Sequence, residues 1–144
     1  EINPHNLKLE ITESMAMKDL DATLKTLREL KALDIKLSID DFGTGYSSLA
    51  YVSQFPLDTL KVDRSFLLRM DVNNEESQII VKTIIALAHD LKLKVIAEGI
   101  EMQEQLLKLK SLHCEYGQGY LFSKPVPKNE AETLLAENNP LCQF

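Results

Sequence analysis

The sequence has few cysteines, no apolar run long enough to cross a bilayer, and a minority of basic residues. Its two cysteines, Cys114 and Cys142, have no metal-ligand spacing, so they are read as free thiols of a reducing cytoplasm and not as a disulfide framework. The short apolar runs speak against a transmembrane helix. Linker-like shifts in composition, low-complexity tracts and charge blocks are also missing, so the 144 residues are read as domain material throughout. Sixteen Lys and Arg against 22 Asp and Glu leave a net charge of −6. That balance speaks against a protein that grips a nucleic acid polymer by a basic face. A phosphate ester remains admissible as a ligand if metal ions or a few placed cations offset the like charge. No signal peptide is visible, and Glu1 is not a natural initiator, so further residues are expected upstream.

What is present is ordinary globular composition, 44% hydrophobic and 26% charged, in a regular alternation of strand and helix patterns. Leu7 to Thr12 alternates apolar and polar positions and predicts a strand. Leu20, Leu24, Leu27, Leu30 and Leu33 keep helical spacing, which predicts a helix from about Asp19 to Leu33 with one buried face. Ile35 to Asp40 predicts a second strand, opening into the turn-forming loop Asp41-Phe42-Gly43-Thr44-Gly45. A short helix over Tyr46 to Gln54, stopped by Pro56, leads to a third strand at Thr59 to Asp63. Asn73 to Glu76 offers a cap and negative charge to a helix ending near Asp90. The many apolar residues of that helix, Ile79 and Ile80 among them, predict burial on several sides. A fourth strand at Leu93 to Glu98, a helix from Gln103 to Leu112, a fifth strand at Gln118 to Phe122 and a last helix from Pro127 to Glu137 complete the chain. Strands each followed by a helix imply a parallel sheet with helical cover, either an open doubly wound sheet or a barrel.

The acidic residues fall where such folds do chemistry. Glu10 and Glu13, Asp40 and Asp41, Asp63, and Glu98 and Glu101 lie at or just after strand ends, the active edge of parallel α/β folds. Crowded carboxylates repel unless a cation neutralises them, and a divalent ion with oxygen ligands does so. Asp40-Asp41 is unusual, because neighbouring strand residues point to opposite sides. Gly43 and Gly45 supply the freedom for the second carboxylate to swing back, and such a pair could hold two metals for in-line displacement at phosphorus. Lys61 sits in an otherwise apolar strand. Pointing into carboxylates it would stay charged, and could orient a water or stabilise developing negative charge.

These segments resemble the EAL domain family. Glu10-Ile11-Thr12-Glu13 is similar to its E-x-T-E motif, and Asp40 to Leu49 matches D-D-F-G-T-G-Y-S-S-L throughout. Lys61-Val62-Asp63-Arg64-Ser65-Phe66 matches K-V-D-x-S-F, Glu98-Gly99-Ile100-Glu101 matches E-G-V/I-E, and Gln118 to Pro125 matches Q-G-Y-x-F-S-K-P. The motifs occur in order and cover nearly the whole chain. The resemblance implies a TIM-like (β/α)8 barrel, and hydrolysis of one phosphodiester bond of cyclic di-GMP to the linear dinucleotide. It implies two divalent ions (Mg2+ or Mn2+). Glu10 and Asp40 would be metal ligands, Asp40 bridging, with Asp41 and Glu98 serving the second centre. Lys61 would contact the hydrolytic water, Gln118 would line the substrate site, and Glu101 would be a supporting acid. Glu13 would anchor the Asp40–Ser48 loop, with Gly43, Thr44 and Gly45 inside it. That loop is also associated with a homodimer contact. The resemblance gives Asp63 no role, and His5, His89 and His113 match no motif.

The expected departure is one of extent. The Glu-Ala-Leu motif and a later Asn, both metal ligands of the family, do not appear before Glu10, and a full barrel takes roughly 250 residues. Residues 1–144 are therefore expected to be the C-terminal part of the domain, about five of eight strand–helix units, inactive or nearly so alone. Two exposed strand edges would favour association. A domain that binds the dinucleotide without cleaving it, and an assembly module, are the alternatives. An upstream sensor or diguanylate cyclase-like domain, and attachment of a cytoplasmic parent to the inner membrane, are family habits left open by the sequence.

Overall fold

The computed structural model describes residues 3–45, 49–70 and 75–136. After a single 3-10 turn at Pro4–Asn6, the order is β1 (Lys8–Thr12), α1 (Glu13–Ala16), α2 (Leu20–Ala32), β2 (Lys36–Phe42), α3 (Leu49–Val52), β3 (Thr59–Val62), α4 (Arg64–Leu68), α5 (Glu75–Asp90), β4 (Lys94–Ala97), α6 (Gln103–Ser111), β5 (Tyr116–Gly117) and α7 (Lys128–Ala136). The strands form one sheet in the order β1-β2-β3-β4-β5, and all four pairings are parallel. Sequential parallel neighbours joined by helices are the repeating unit of a barrel wall.

Strand alternation divides the sheet into two chemistries. Leu37, Ile39, Leu60, Val62, Val95 and Ala97 face the helices and are buried. The larger core packs all of these but Leu37 under Val81, Ile84, Ile85 and Ala88 of α5 and Leu106 and Leu109 of α6, while Ala16, Leu27, Ile35, Leu37 and Phe55 form a second cluster at the α1–α2 end. The alternate residues, Ser38, Asp40, Thr59, Lys61, Ile96 and then Glu98, lie on the opposite, concave face.

The caps explain several helix starts. Asp19 accepts from the Ala22 amide at 3.0 Å, opening α2 where the apolar spacing begins. Asp63 accepts from the Ser65 amide at 2.9 Å, which opens α4. That helix is absent from the sequence-based expectation, because five residues are too few to display a period.

Three other expectations change. The fifth strand is Tyr116–Gly117, not Gln118 to Phe122. The Gly119 backbone presses against Ile100, where an added Cβ would overlap the Ile100 nitrogen and oxygen, and the chain turns there. Strand β2 continues through Asp41 and Phe42, which the glycine-rich pattern had marked as loop. Helix α5 buries one face only: Ser77, Val81, Ile84, Ile85 and Ala88 are inside, whereas Ile79 is 62% exposed. Spacings of three and four residues, and not total apolar content, decide which side is covered. The Asn73-Asn74 cap and residues 46–48, at the start of the helix expected over Tyr46 to Gln54, lie outside the described residues. Among the described residues no helix is long and apolar enough to cross a membrane.

Candidate active site

The site is assembled by a β-bulge. Ile39 pairs with Leu60 and Phe42 with Val62, so three steps along β2 match two along β3. The extra residue lets both Asp40 and Asp41 fall between two helix-facing apolar residues. Asp41 takes φ 54, in the left-handed region that Asp tolerates better than most residues, and its amide donates to Asp40 Oδ1 at 3.0 Å. The adjacent carboxylates therefore share one side of the sheet through the backbone of Asp41 itself, while Gly43 and Gly45 shape the turn beyond Phe42.

At the centre stands Lys61, whose side chain is only 6% exposed. Its Nζ lies 2.6 Å from Glu10 Oε2, 3.1 Å from Asp40 Oδ1 and 2.6 Å from Glu98 Oε1. One cation thus joins three strands, β1, β2 and the end of β4. Burial works against the lysine's charge, but hydrogen bonds to Glu10, Glu98 and Asp40 outweigh it and hold the pKa above the ordinary lysine value. Burial raises the pKa of Glu98; Lys61 opposes this, and the neighbouring Asp40 and Glu10 add to it. The Asp41 carboxyl is also raised, by desolvation first and then by Asp40 and Asp63. One ammonium does not neutralise this many acids.

Neighbouring side chains brace the cage. Gln118, just past β5, donates from Nε2 to Glu98 Oε1 at 2.8 Å. Glu13 is 2% exposed, and its Oε2 accepts from the Gly43 amide at 2.8 Å, tying α1 to the end of β2. Its Oε1 is buried with no partner among the described residues. Gly45 lies directly against that atom, with room for no side chain: a Cβ there would sit 2.5 Å away. Thr44 folds its hydroxyl and amide back onto the Asp41 carbonyl, at 2.8 and 3.2 Å.

Glu101 is not in the lysine's cage; its carboxylate pairs with Arg64. Two residues at this end are given no role by the sequence. Arg64 lays its aliphatic stem over Gly99, which has φ 69 and no space for a Cβ, before reaching Glu101. Gln105 accepts from the Glu101 and Met102 amides at 2.9 and 3.0 Å and donates to the Leu67 carbonyl at 2.9 Å, fastening the start of α6 to α4. Gln three positions into a helix is the spacing of a capping box, the one signal that could have found it. Asp63 faces its own helix as the cap of α4. His89 lies 3.3 Å from Glu115 and His5 4.0 Å from Asp34, both away from the cage. Cys114 is buried and free, its thiol pushed up to about 12, chiefly by burial; Cys142 lies outside the described residues.

Comparison with known proteins agrees with this layout. The EAL domain family model matches residues 1–125. Cyclic di-GMP phosphodiesterase NbdA of Pseudomonas aeruginosa is 50% identical over 129 residues, 90% of this chain and 16% of that protein. Among solved structures, PaMucR phosphodiesterase in complex with c-di-GMP superposes with a TM-score of 0.86 at 43% identity, over 90% of this chain and 52% of that one. The manganese/cy-diGMP complex of Klebsiella pneumoniae BlrP1 matches with a TM-score of 0.78 at 35% identity, covering 86% of this chain and 31% of that one. The chain therefore spans about half of a solved EAL phosphodiesterase chain and a smaller share of its curated relatives. Its five parallel β/α units are those of the EAL-type, TIM-like barrel, and the chain belongs to the EAL domain family.

Proposed function

We propose that this chain forms part of a cyclic di-GMP phosphodiesterase that hydrolyses one phosphodiester bond to give the linear dinucleotide. The observation that carries this reading is the cage of Glu10, Asp40 and Glu98 around the buried ammonium of Lys61. A scaffold would gain nothing from repelling carboxylates, whereas phosphoryl transfer uses both acids and a placed cation.

The donor set fits a hard divalent cation: every candidate ligand is a carboxylate oxygen, and negative charge is in surplus. Among the described residues no three such groups close around a point of their own; they close around Lys61. In the proposed site Glu10, Asp40, Asp41 and Glu98 would hold Mg2+ or Mn2+, two per complete domain, which would supply charge neutralisation and an acidified water. Lys61 stays protonated at neutral pH, so its role is to orient that water and offset charge on the phosphoryl oxygens, not to accept a proton. Gln118 orients Glu98 and lines the site. Glu13 fixes Gly43, and through it the segment carrying Asp40 and Asp41. Glu101, held by Arg64, shapes the rim. The same proposal includes a homodimer through the Asp40–Ser48 loop and a cytoplasmic setting, the dinucleotide being an intracellular messenger in this reading.

The test is turnover by the full-length protein on cyclic di-GMP with Mg2+ or Mn2+, beside Asp40→Asn, a chelator control and the 144-residue chain. Linear product should appear with metal, fall by at least about a hundredfold in Asp40→Asn, and be near zero from the short chain. Saturable binding with no turnover by the full-length protein would instead make this a sensing domain. Undiminished turnover by Asp40→Asn would overturn the assignment of the cage.

A further inference from the structure

The concave face that ends in carboxylates begins in lysines. Lys8 and Lys36 are register partners at the starts of β1 and β2, and Lys94 pairs with Thr59 at the start of β4. With Lys92, which the turn before β4 presents at φ 60, they line a cavity of about 360 Å³ floored by Leu57, Thr59 and Tyr116. This is the small end of the range of ligand pockets.

Four lysines share this cavity with one acid, Asp58. That carboxylate is already engaged. It lies 2.8 Å from Lys31 and accepts the Leu37 amide at 2.8 Å, so that Lys36 reaches it only at 3.8 Å. Lys94 leans on Tyr116, 3.2 Å from its hydroxyl and 5.5 Å from the ring centre. Among the described residues neither Lys8 nor Lys92 has an ion pair. Parallel neighbours stand about 4.8 Å apart at the backbone, so register puts Lys8 and Lys36 side by side, with Asp58 as the one acid of the cavity lining beside them. In a chain of net charge −6, so local an excess of positive charge calls for an anion.

We propose that this cavity, at the opposite end of the strands from the carboxylate cage, binds a small phosphorylated molecule carrying two or more adjacent negative charges. Several ammonium groups at one mouth match clustered phosphate oxygens better than a single carboxylate, and lysine suits phosphate as a point charge. Ser38, between Lys36 and Asp40 on the same face of β2, has a buried hydroxyl with no partner among the described residues, a spare hydrogen-bonding group between the two ends.

The test is calorimetric titration of the full-length protein with inorganic pyrophosphate and, separately, ADP. A chelator is present throughout to keep metal-dependent binding out of the measurement. Saturable binding is expected. It should weaken about tenfold or more in Lys36→Ala/Lys94→Ala, stay unchanged in Lys108→Ala, a residue of α6 outside the cavity lining, and weaken as salt rises. Tighter binding of ADP would assign the Leu57 and Tyr116 floor to a nucleoside; equal binding would assign the site to phosphate alone. Absence of saturable binding, or binding indifferent to the double substitution in a variant with wild-type circular dichroism, would overturn the proposal. Neither result depends on turnover of cyclic di-GMP, so failure here leaves that reading standing.

Discussion

Replacing Lys61 by Met removes the one cation from a cage of three carboxylates and keeps most of the side-chain volume. The carboxylates that remain are unequally wet: Glu98 is 16% exposed, Asp40 22% and Glu10 42%. Deleting one partner of a buried ion pair costs about 3–5 kcal/mol. Glu10 can turn to water, so the low end applies, about 3 kcal/mol near pH 7.5. The pH dependence has a definite sign. Burial already raises the pKa of Glu98 and Lys61 opposes it, so in the variant it climbs further. An acid whose folded pKa exceeds its unfolded value favours the fold below the unfolded pKa and loses that benefit as pH rises through the folded one. The deficit of the variant should therefore be full at neutral pH and shrink as pH falls through the carboxylate range. The raised pKa of Lys61 works the same way higher up: the wild type keeps its advantage through neutral pH and loses it only above the ordinary lysine range of about 10.4. With m-values of about 1–3 kcal/mol/M, urea unfolding should show the variant's midpoint lower by roughly 1–3 M at pH 7.5 and by less than half of that near pH 4.5. A shift smaller than about 0.3 M, or one that does not change with pH, would refute the claim that Lys61 holds this end of the sheet together.

Packing sets the other expected outcomes. Glu13→Ala removes a charged acceptor from the Gly43 amide and should cost about 1.5–3 kcal/mol in chemical denaturation. Gly45→Ala, which drives a methyl group into Glu13 Oε1, should destabilise through the same contact, so the double variant should cost less than the sum of the two. Gly119→Ala puts a Cβ against the Ile100 backbone and should lower the melting temperature more than any other glycine substitution at this edge, by overpacking of about 1–3 kcal/mol or more. In the folded chain Cys114 should resist a thiol-specific disulfide reagent at pH 8 and react only on adding denaturant, because its thiol is buried and holds its proton.

Much of this was legible in the sequence because it rests on period and position. The leucine spacing of α2 put that helix within a residue of its place. Acids at strand ends led to Glu10, Asp40 and Glu98, and a lone lysine among apolar residues led to the cage's centre. What stayed hidden depends on partners distant in sequence. Asp40-Asp41-Phe42-Gly43 looks like the start of a loop, and only the register against β3 reveals a bulge within a strand. Gln118 to Phe122 has the β-like composition of a strand, but the close approach of Gly119 to Ile100 turns it away from the sheet. Composition marked Ile79 as core, and the geometry of α5 leaves it outside. The lysines at the strand starts carry no signal one by one, and parallel register brings Lys8, Lys36 and Lys94 into one cavity.

Seen along its strands, the chain is an electric dipole. Lys8, Lys36 and Lys94 precede Glu10, Asp40 and Glu98 by two to four residues on the same runs of chain, about 7–13 Å at 3.3 Å per residue. That separation is comparable to the screening length of about 8 Å at physiological ionic strength. At low salt the field of these two clusters favours an anion at the strand starts over one at the bare carboxylates. Added salt flattens that field. A negatively charged ligand bound for the metal-free carboxylate end should therefore arrive faster as ionic strength rises, the reverse of ordinary electrostatic steering, and bound divalent ions should abolish the effect.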